Sequence, residues 1–348
     1  MRAAILHDSS SLHTTTAHVL AALQHCCPEA TLFSPEKTGE IQYLEGFDLV
    51  VSTSSQAARS TFLAGGTIHL SYVGPMNSTE GSTSPSTSAH LSNRSSATQA
   101  ATRYIAASNS VRERIAREVQ LPSQVIFPPI NTAFFRPGPF HRENFYLTVC
   151  REHSQISAKD WELCINACRL TRRELVIIGP LSDEETRAFS AHSHVHCLGP
   201  QSDEMIRDCY QRCRALLFPT ACDFAETVVE AQACGTPVIT YIVGGVKETI
   251  LDAEENGHGT GLFFHEPNAW SVASAIQELE RRPQNYEPSL GCANAARFSI
   301  SRFEREMLCL MEQSVQTADG ANGWHLATSA GQPAGENDRH SPPHRSAA

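Results

Sequence analysis

Short apolar runs alternate with helix-patterned segments along most of this chain, and the alternation starts over near its middle. "MRAAILHD" reads as a buried strand and "TAHVLAALQHCC" as a helix, with further strands at "FDLVVSTS" and "GTIHLSYV". "RYIAASNSVRERIAREV" reads as a strand followed by a helix with Ser108 or Asn109 as its N-cap. "QVIFPPI" is a short strand that its two prolines end. From Phe145 the pattern resumes with "FYLTVC", a helix near "WELCINAC", "ELVIIG", a helix from about Asp183, "VHCLG", "DEMIRDCYQRC", "ALLFP", "PVITY" and "GLFF". Such alternation predicts parallel sheets with helices on both faces. The 348 residues are enough for two separate cores. The expected fold class is therefore α/β, with two doubly wound domains.

"FFRPGPFHREN", residues 134 to 144, places two prolines around a glycine and reads as an interdomain linker. The expected organisation is an N-terminal domain over 1–140, a C-terminal domain over 141–312 and a disordered tail over 313–348, rich in Gly, Ser, Ala, His and Pro. In residues 77–98, 12 of 22 positions are Ser or Thr, too polar to offset the entropy of ordering, so a loop is expected there.

The formal net charge of −10 argues against general nucleic-acid binding and against a strongly membrane-adherent surface. No apolar run reaches the length of a membrane span, and "MRAAILHDSS" lacks the apolar core of a secretory signal. The expectation is a cytoplasmic protein with at most peripheral contact at the inner face of the membrane. The twelve cysteines form no Cys-x2-Cys pair. Cys164 with Cys168, and Cys209 with Cys213, read as buried apolar residues on helices. His192, His194 and His196 share one face of an extended segment, but no carboxylate cluster lies near them in sequence, and no metal site is expected.

The stretch "DFAETVVEAQACGTPVI", residues 223–239, carries the chemistry. It follows the strand "ALLFP", and ligands of open α/β sheets bind beyond the carboxyl ends of the strands. Asp223 and Glu226 have capping-box spacing, and a helix N-terminus at that place suits a phosphate. Glu226 and Glu230 lie one turn apart. A carboxylate there can accept two hydrogen bonds from a ribose diol; equally, the two glutamates can form a solvated helix face.

Around this stretch, "FPTACDFAETVVEAQACGTPVITYIVGGVKETI" resembles the donor-binding signature of the retaining glycosyltransferases of family 4. The likeness extends to "YLTVCREHSQISAKDWELCINA", "HCLGPQSDEMIRDCYQRCRALLFP" and "GTGLFFHEPN", and on the N-terminal side to "YIAASNSVRERI" and "VIFPPINTAFFRP". It is closest in tone to the O-antigen mannosyltransferase branch. The resemblance implies two facing Rossmann-like domains in the GT-B arrangement, here with a shortened N-terminal domain. It also implies a sugar transferred from a nucleotide-sugar donor with retained configuration, and neither metal nor cofactor. GDP-mannose is the leading donor, and a glycan or lipid-linked molecule the acceptor.

Residue by residue, the resemblance makes Arg151 and Lys159 the cations that stabilise the departing diphosphate. Ile156 occupies the lysine's usual spacing, and a loop three residues longer brings Lys159 into that role. Donor binding is implied for Phe224, Ala225, Glu226 and Glu230, with Glu230 on the ribose and the backbone near Gly199 and Pro200 on the base. Four positions depart from the family motif. Cys222 replaces the first glutamate of Glu-x7-Glu, Thr14-Thr15 replace a Gly-Gly, and Gly74 lies in a segment without the family's His and Arg. These departures keep open a nucleotide-sugar-binding or regulatory protein with weakened or lost transfer, and a nucleotide-sugar epimerase of the same fold.

Overall fold

The computed structural model describes residues 2–7, 14–34, 42–53, 61–63, 66–75, 102–118, 120–139, 141–151, 156–253 and 257–325. The Ser/Thr-rich stretch 77–98 lies outside them. Two six-stranded sheets, parallel throughout, organise the chain. The first contains β1 (Ala3–Leu6), β2 (Thr31–Phe33), β4 (Leu49–Ser52), β6 (Ile68–Val73), β7 (Thr102–Ala106) and β8 (Ser123–Val125) in the order β2-β1-β4-β6-β7-β8. Two short strands, β3 (Gln42–Leu44) and β5 (Thr61–Leu63), pair separately. The second sheet contains β9 (Phe145–Val149), β10 (Glu174–Ile178), β11 (Val195–Gly199), β12 (Leu216–Phe218), β13 (Val238–Tyr241) and β14 (Gly261–Phe264), ordered β11-β10-β9-β12-β13-β14.

Strands covered on both faces need continuous apolar runs, and every residue of β4 and β6 is buried. One polar member of β6 is accommodated by pairing. His69 places Nε2 2.9 Å from Ser52 Oγ and Nδ1 3.2 Å from Thr102 Oγ1. Burial lowers its pKa to about 4, so the ring is neutral.

The helices are α1 (Thr14–Cys26), α2 (Asn109–Glu118), α3 (Ala158–Thr171), α4 (Asp183–Ser190), α5 (Asp203–Arg212), α6 (Glu226–Ala233), α7 (Ala269–Arg281), α8 (Pro288–Ala295) and α9 (Ile300–His325). Ser157, Ser182 and Ser202 cap α3, α4 and α5 through their hydroxyls. Cys164, Cys168, Cys209 and Cys213 are buried, and the cysteines are free thiols.

The last helix departs from expectation. α9 leaves the second domain and lies on the first, burying Phe303, Met307, Leu310 and Met311, an i, i+4, i+7, i+8 stripe, in the N-terminal core. The helix continues through residues 313–325, where disorder is expected from composition. Ser314 is buried and donates to the Leu310 carbonyl at 2.7 Å, so the apolar stripe below carries these small polar residues along in the helix.

The chain passes between domains twice, and the two passages touch. Ile130 N donates to Phe298 O at 2.8 Å, Ile300 N donates to Ile130 O at 3.2 Å, and Arg302 donates to Phe127 O at 2.8 Å. The crossing thus precedes the stretch 134–144 read as a linker. That stretch is already anchored in the second domain by buried Phe135 and by Arg142, which donates to Cys213 O at 2.7 Å.

Candidate functional site between the two domains

In the second sheet the strand order reverses between β9 and β12, and the carboxyl ends of these two strands open the crevice where such sheets hold ligands. Arg151 follows β9, and the 219–225 turn into α6 follows β12. The structure brings Arg151 and Glu230 into contact: Nη2 of Arg151 lies 2.9 Å from both carboxylate oxygens of Glu230. Tyr210 donates its hydroxyl to the same carboxylate at 3.2 Å, and Nη1 of Arg151 donates to Asp203 at 2.6 Å. The Phe135 ring lies 6.0 Å below the guanidinium. Glu230 is 1% exposed, so it is no solvated face. Burial pushes its carboxyl above the usual range while Arg151 pulls it back, and the Glu230 carboxylate holds the Arg151 guanidinium charged against its own burial.

Lys159 is exposed on the first turn of α3. Its neighbour Asp160 accepts from Thr220 at 3.4 Å, which places that turn beside the loop leading into α6. Ile156, at the lysine's usual spacing, is buried. Gly199 ends β11 with φ +67°, accepts a bond from Gly179 N at 3.1 Å and has open space where a side chain would stand. Pro200 beside it is exposed. Gly74 is half-buried just past β6, and Thr14-Thr15 form the first turn of α1. His194 and His196 bond to Ile165 O and Glu174, at 3.1 and 2.8 Å.

The start of α6 is built differently from the capping box its sequence spacing predicts. Ala225 is the N-cap, with φ −111° and no side-chain cap bond, so the backbone there does not call for glycine. Asp223 turns to the other domain instead. It accepts from Arg114 at 2.5 Å and from Ser110 Oγ at 2.6 Å. Phe224 is buried in an aromatic cluster with Phe127 and Phe298. Cys222 is 2% exposed, and burial pushes its thiol up to about 12. Gly244 (φ +94°) and Gly245 pack so closely on residues 222–223 that a Cβ at either would strike backbone. Gly245 N donates to Cys222 O at 2.8 Å.

The domains are clasped beside this turn by Glu248, to which the sequence assigned no interdomain contact. Glu248 accepts from Asn109 N at 3.0 Å, from the Asn109 side chain, and from Ser110 N at 3.2 Å, so a carboxylate of the second domain caps α2 of the first. Farther along, His18 of α1 faces Glu226 at 3.5 Å. Between the domains lies a cleft of about 300 Å³, lined by His18, Phe134, Phe135, Asp203, Glu204 and Glu230, among others. Its apolar walls and convergent polar groups suit a small organic ligand.

Residues 132–297, from the interdomain passage through α8, match the family described as glycosyl transferases group 1. The match covers just under half of the chain. The matched segment contains Arg151, Lys159, Glu226 and Glu230 together. Among curated relatives, the chain is 29% identical over 121 residues to the D-inositol 3-phosphate glycosyltransferase of Kineococcus radiotolerans, covering 30% of this chain and 28% of the relative. It is 36% identical over 76 residues to that of Mycolicibacterium gilvum, covering 22% and 16%. The chain thus spans less than a third of the length of these relatives. Among solved structures, Anabaena HepE in complex with UDP and glucose has a TM-score of 0.67 at 14% identity, covering 90% of this chain and 99% of that one. Sucrose-phosphate synthase from Thermosynechococcus elongatus has a TM-score of 0.66 at 17% identity, with the same coverage. These likenesses show the fold: two Rossmann-like domains in the GT-B arrangement.

Proposed function

We propose that the protein is a retaining glycosyltransferase that holds a nucleotide-sugar donor between its two domains and passes the sugar to a glycan or lipid-linked acceptor. One observation carries this reading most: Arg151 and Glu230 meet at the strand-order reversal of a sheet whose segment matches a glycosyl transferase family. Glu230 is assigned to the ribose hydroxyls and Arg151 to the diphosphate, with Lys159 as its partner on α3. Asp203, which holds Nη1 of Arg151, is 51% exposed. Its release to water costs little, so a phosphate can replace it while Nη2 stays on Glu230. The cation then stabilises the leaving diphosphate as its charge grows. GDP-mannose is our leading donor, and UDP-glucose, a ligand solved with HepE, its first competitor. We assign the protein to the cytoplasm, with at most peripheral contact at the inner face of the membrane; among the described residues no helix is long and apolar enough to cross one.

A second reading, a nucleotide-sugar-binding protein with weakened transfer, is favoured by Cys222, a buried neutral thiol where the resemblance implies a carboxylate. A thermal-shift panel of GDP, GDP-mannose, UDP and UDP-glucose tests both. A ligand at a hundred times its dissociation constant adds about 2.7 kcal/mol to stability. Stabilisation without release of nucleotide diphosphate supports the second reading; no stabilisation by any of the four contradicts both.

A further inference from the structure

The acidic residues around the start of α6 are not equivalent. Asp223 is held by Arg114 and Ser110 of the other domain. Glu230 accepts from Arg151 and Tyr210. Glu226 differs from both: it is 7% exposed, and its Oε1 is fully buried without a hydrogen-bond partner. Across the domain boundary it faces Nδ1 of His18, which is likewise buried and without a hydrogen-bond partner. The two lie 3.5 Å apart, within ion-pair range but outside hydrogen-bond geometry. A buried carboxylate left in that state is costly, and such a group calls for an explanation.

We propose that Glu226 and His18 together form the site for a hydroxyl of the transferred sugar, an assignment that rests on the proposed nucleotide-sugar donor. A hydroxyl is donor and acceptor at once, so it can donate to Oε1 of Glu226 while accepting from Nδ1–H of His18. An oxygen about 2.8 Å from each atom sits at the apex of a triangle over their separation. The placement along α6 agrees. Glu226 lies one turn, about 5.4 Å, from Glu230 toward the N-terminal end of the helix. A donor whose ribose is held at Glu230 and whose diphosphate meets Arg151 can therefore present its sugar to the next carboxylate. His18 comes from α1 of the first domain and lines the cleft, so the site is complete only with the two domains together.

Calorimetric titration of the full chain with GDP, GDP-mannose, UDP and UDP-glucose tests this in the wild type, Glu226→Ala, Glu226→Gln and His18→Gln. For whichever base the wild type binds, the sugar nucleotide should lose tenfold or more in affinity in Glu226→Ala, and less in Glu226→Gln. The matching nucleoside diphosphate should stay within twofold. His18→Gln should show the same division. Equal losses for both ligands, or no loss for either, overturn the assignment. Ligand-free thermal stability, measured at a pH above the His18 titration so that the ion pair is absent, provides an independent check: removing a buried carboxylate without a hydrogen-bond partner should leave the melting temperature unchanged or raise it. A fall in both Glu226 variants makes the residue structural and overturns the proposal. A wild type that binds none of the four ligands refutes the donor reading itself, a failure visible before any variant is measured.

Discussion

The carboxylate of Glu248 caps the first turn of α2, accepting from the backbone amides of Asn109 and Ser110 at 3.0 and 3.2 Å. The two ends of this contact belong to different domains. With the Asp223–Arg114 pair beside it, at 2.5 Å, the contact sets how the cleft faces meet. Glu248→Ala should therefore lower stability by about 1.5–3 kcal/mol, the range for hydrogen bonds to a charged group. Urea unfolding checks this. Glu248→Gln should lose less, because its amide oxygen still accepts from the α2 amides.

Much of this architecture is legible in the sequence, and the part that is not has a common physical cause. β4 and β6 announce themselves because strands covered on both faces are mostly apolar, with the polar Ser52 and His69 paired to each other. β2, β3 and β5 have three residues each, too few to establish a period. Asp223 has the spacing of a cap, yet its side chain is taken by Arg114, more than a hundred residues earlier; local chemistry loses to an ion pair that only the domain packing creates. The same holds for His18 against Glu226 and for Glu248 against α2. In the described part of the tail, 313–325, the helix continues from the preceding turns, where Met307, Leu310 and Met311 pack on the first domain; residues 326–348 lie outside the described residues.

His69 predicts an acid limb to stability. Its folded pKa is lowered by burial from 6.5 to about 4. The unfolded chain therefore takes up a proton at a higher pH than the native one. The stabilisation from keeping this ring neutral is complete above about pH 6.5 and is lost as pH falls toward 4. A Tm measured across that window should decline in the wild type and decline less in His69→Asn.

His18 should act in the opposite direction. The adjacent Glu226 carboxylate raises its pKa above 6.5 against the effect of burial, with Glu230 adding to the rise and Arg151 opposing it. Its contribution is present below 6.5 and is lost as pH rises through the folded value. An NMR titration of the His18 ring should show the raised pKa, and Glu226→Gln should lower it.

Cys222 should be unreactive despite its place beside the cleft. Thiolate is the reactive form, and a thiol 2% exposed with a pKa near 12 offers almost none at neutral pH. Brief iodoacetamide treatment followed by peptide mapping should label exposed Cys309 in preference and leave Cys222 unmodified until the protein is unfolded.

The central claim is that the Arg151–Glu230 centre holds a nucleotide-sugar donor. Binding of GDP-mannose and UDP-glucose to the wild type, Glu230→Gln and Arg151→Lys, measured by calorimetry, tests it most directly. Glu230→Gln keeps the side-chain shape in a buried site, which guards against simple unfolding. The account predicts that at least one of the two donors binds the wild type, and that each substitution weakens that donor by about 1–3 kcal/mol, roughly five- to 150-fold. Affinity unchanged in both variants, or no binding of either donor to the wild type, would contradict it.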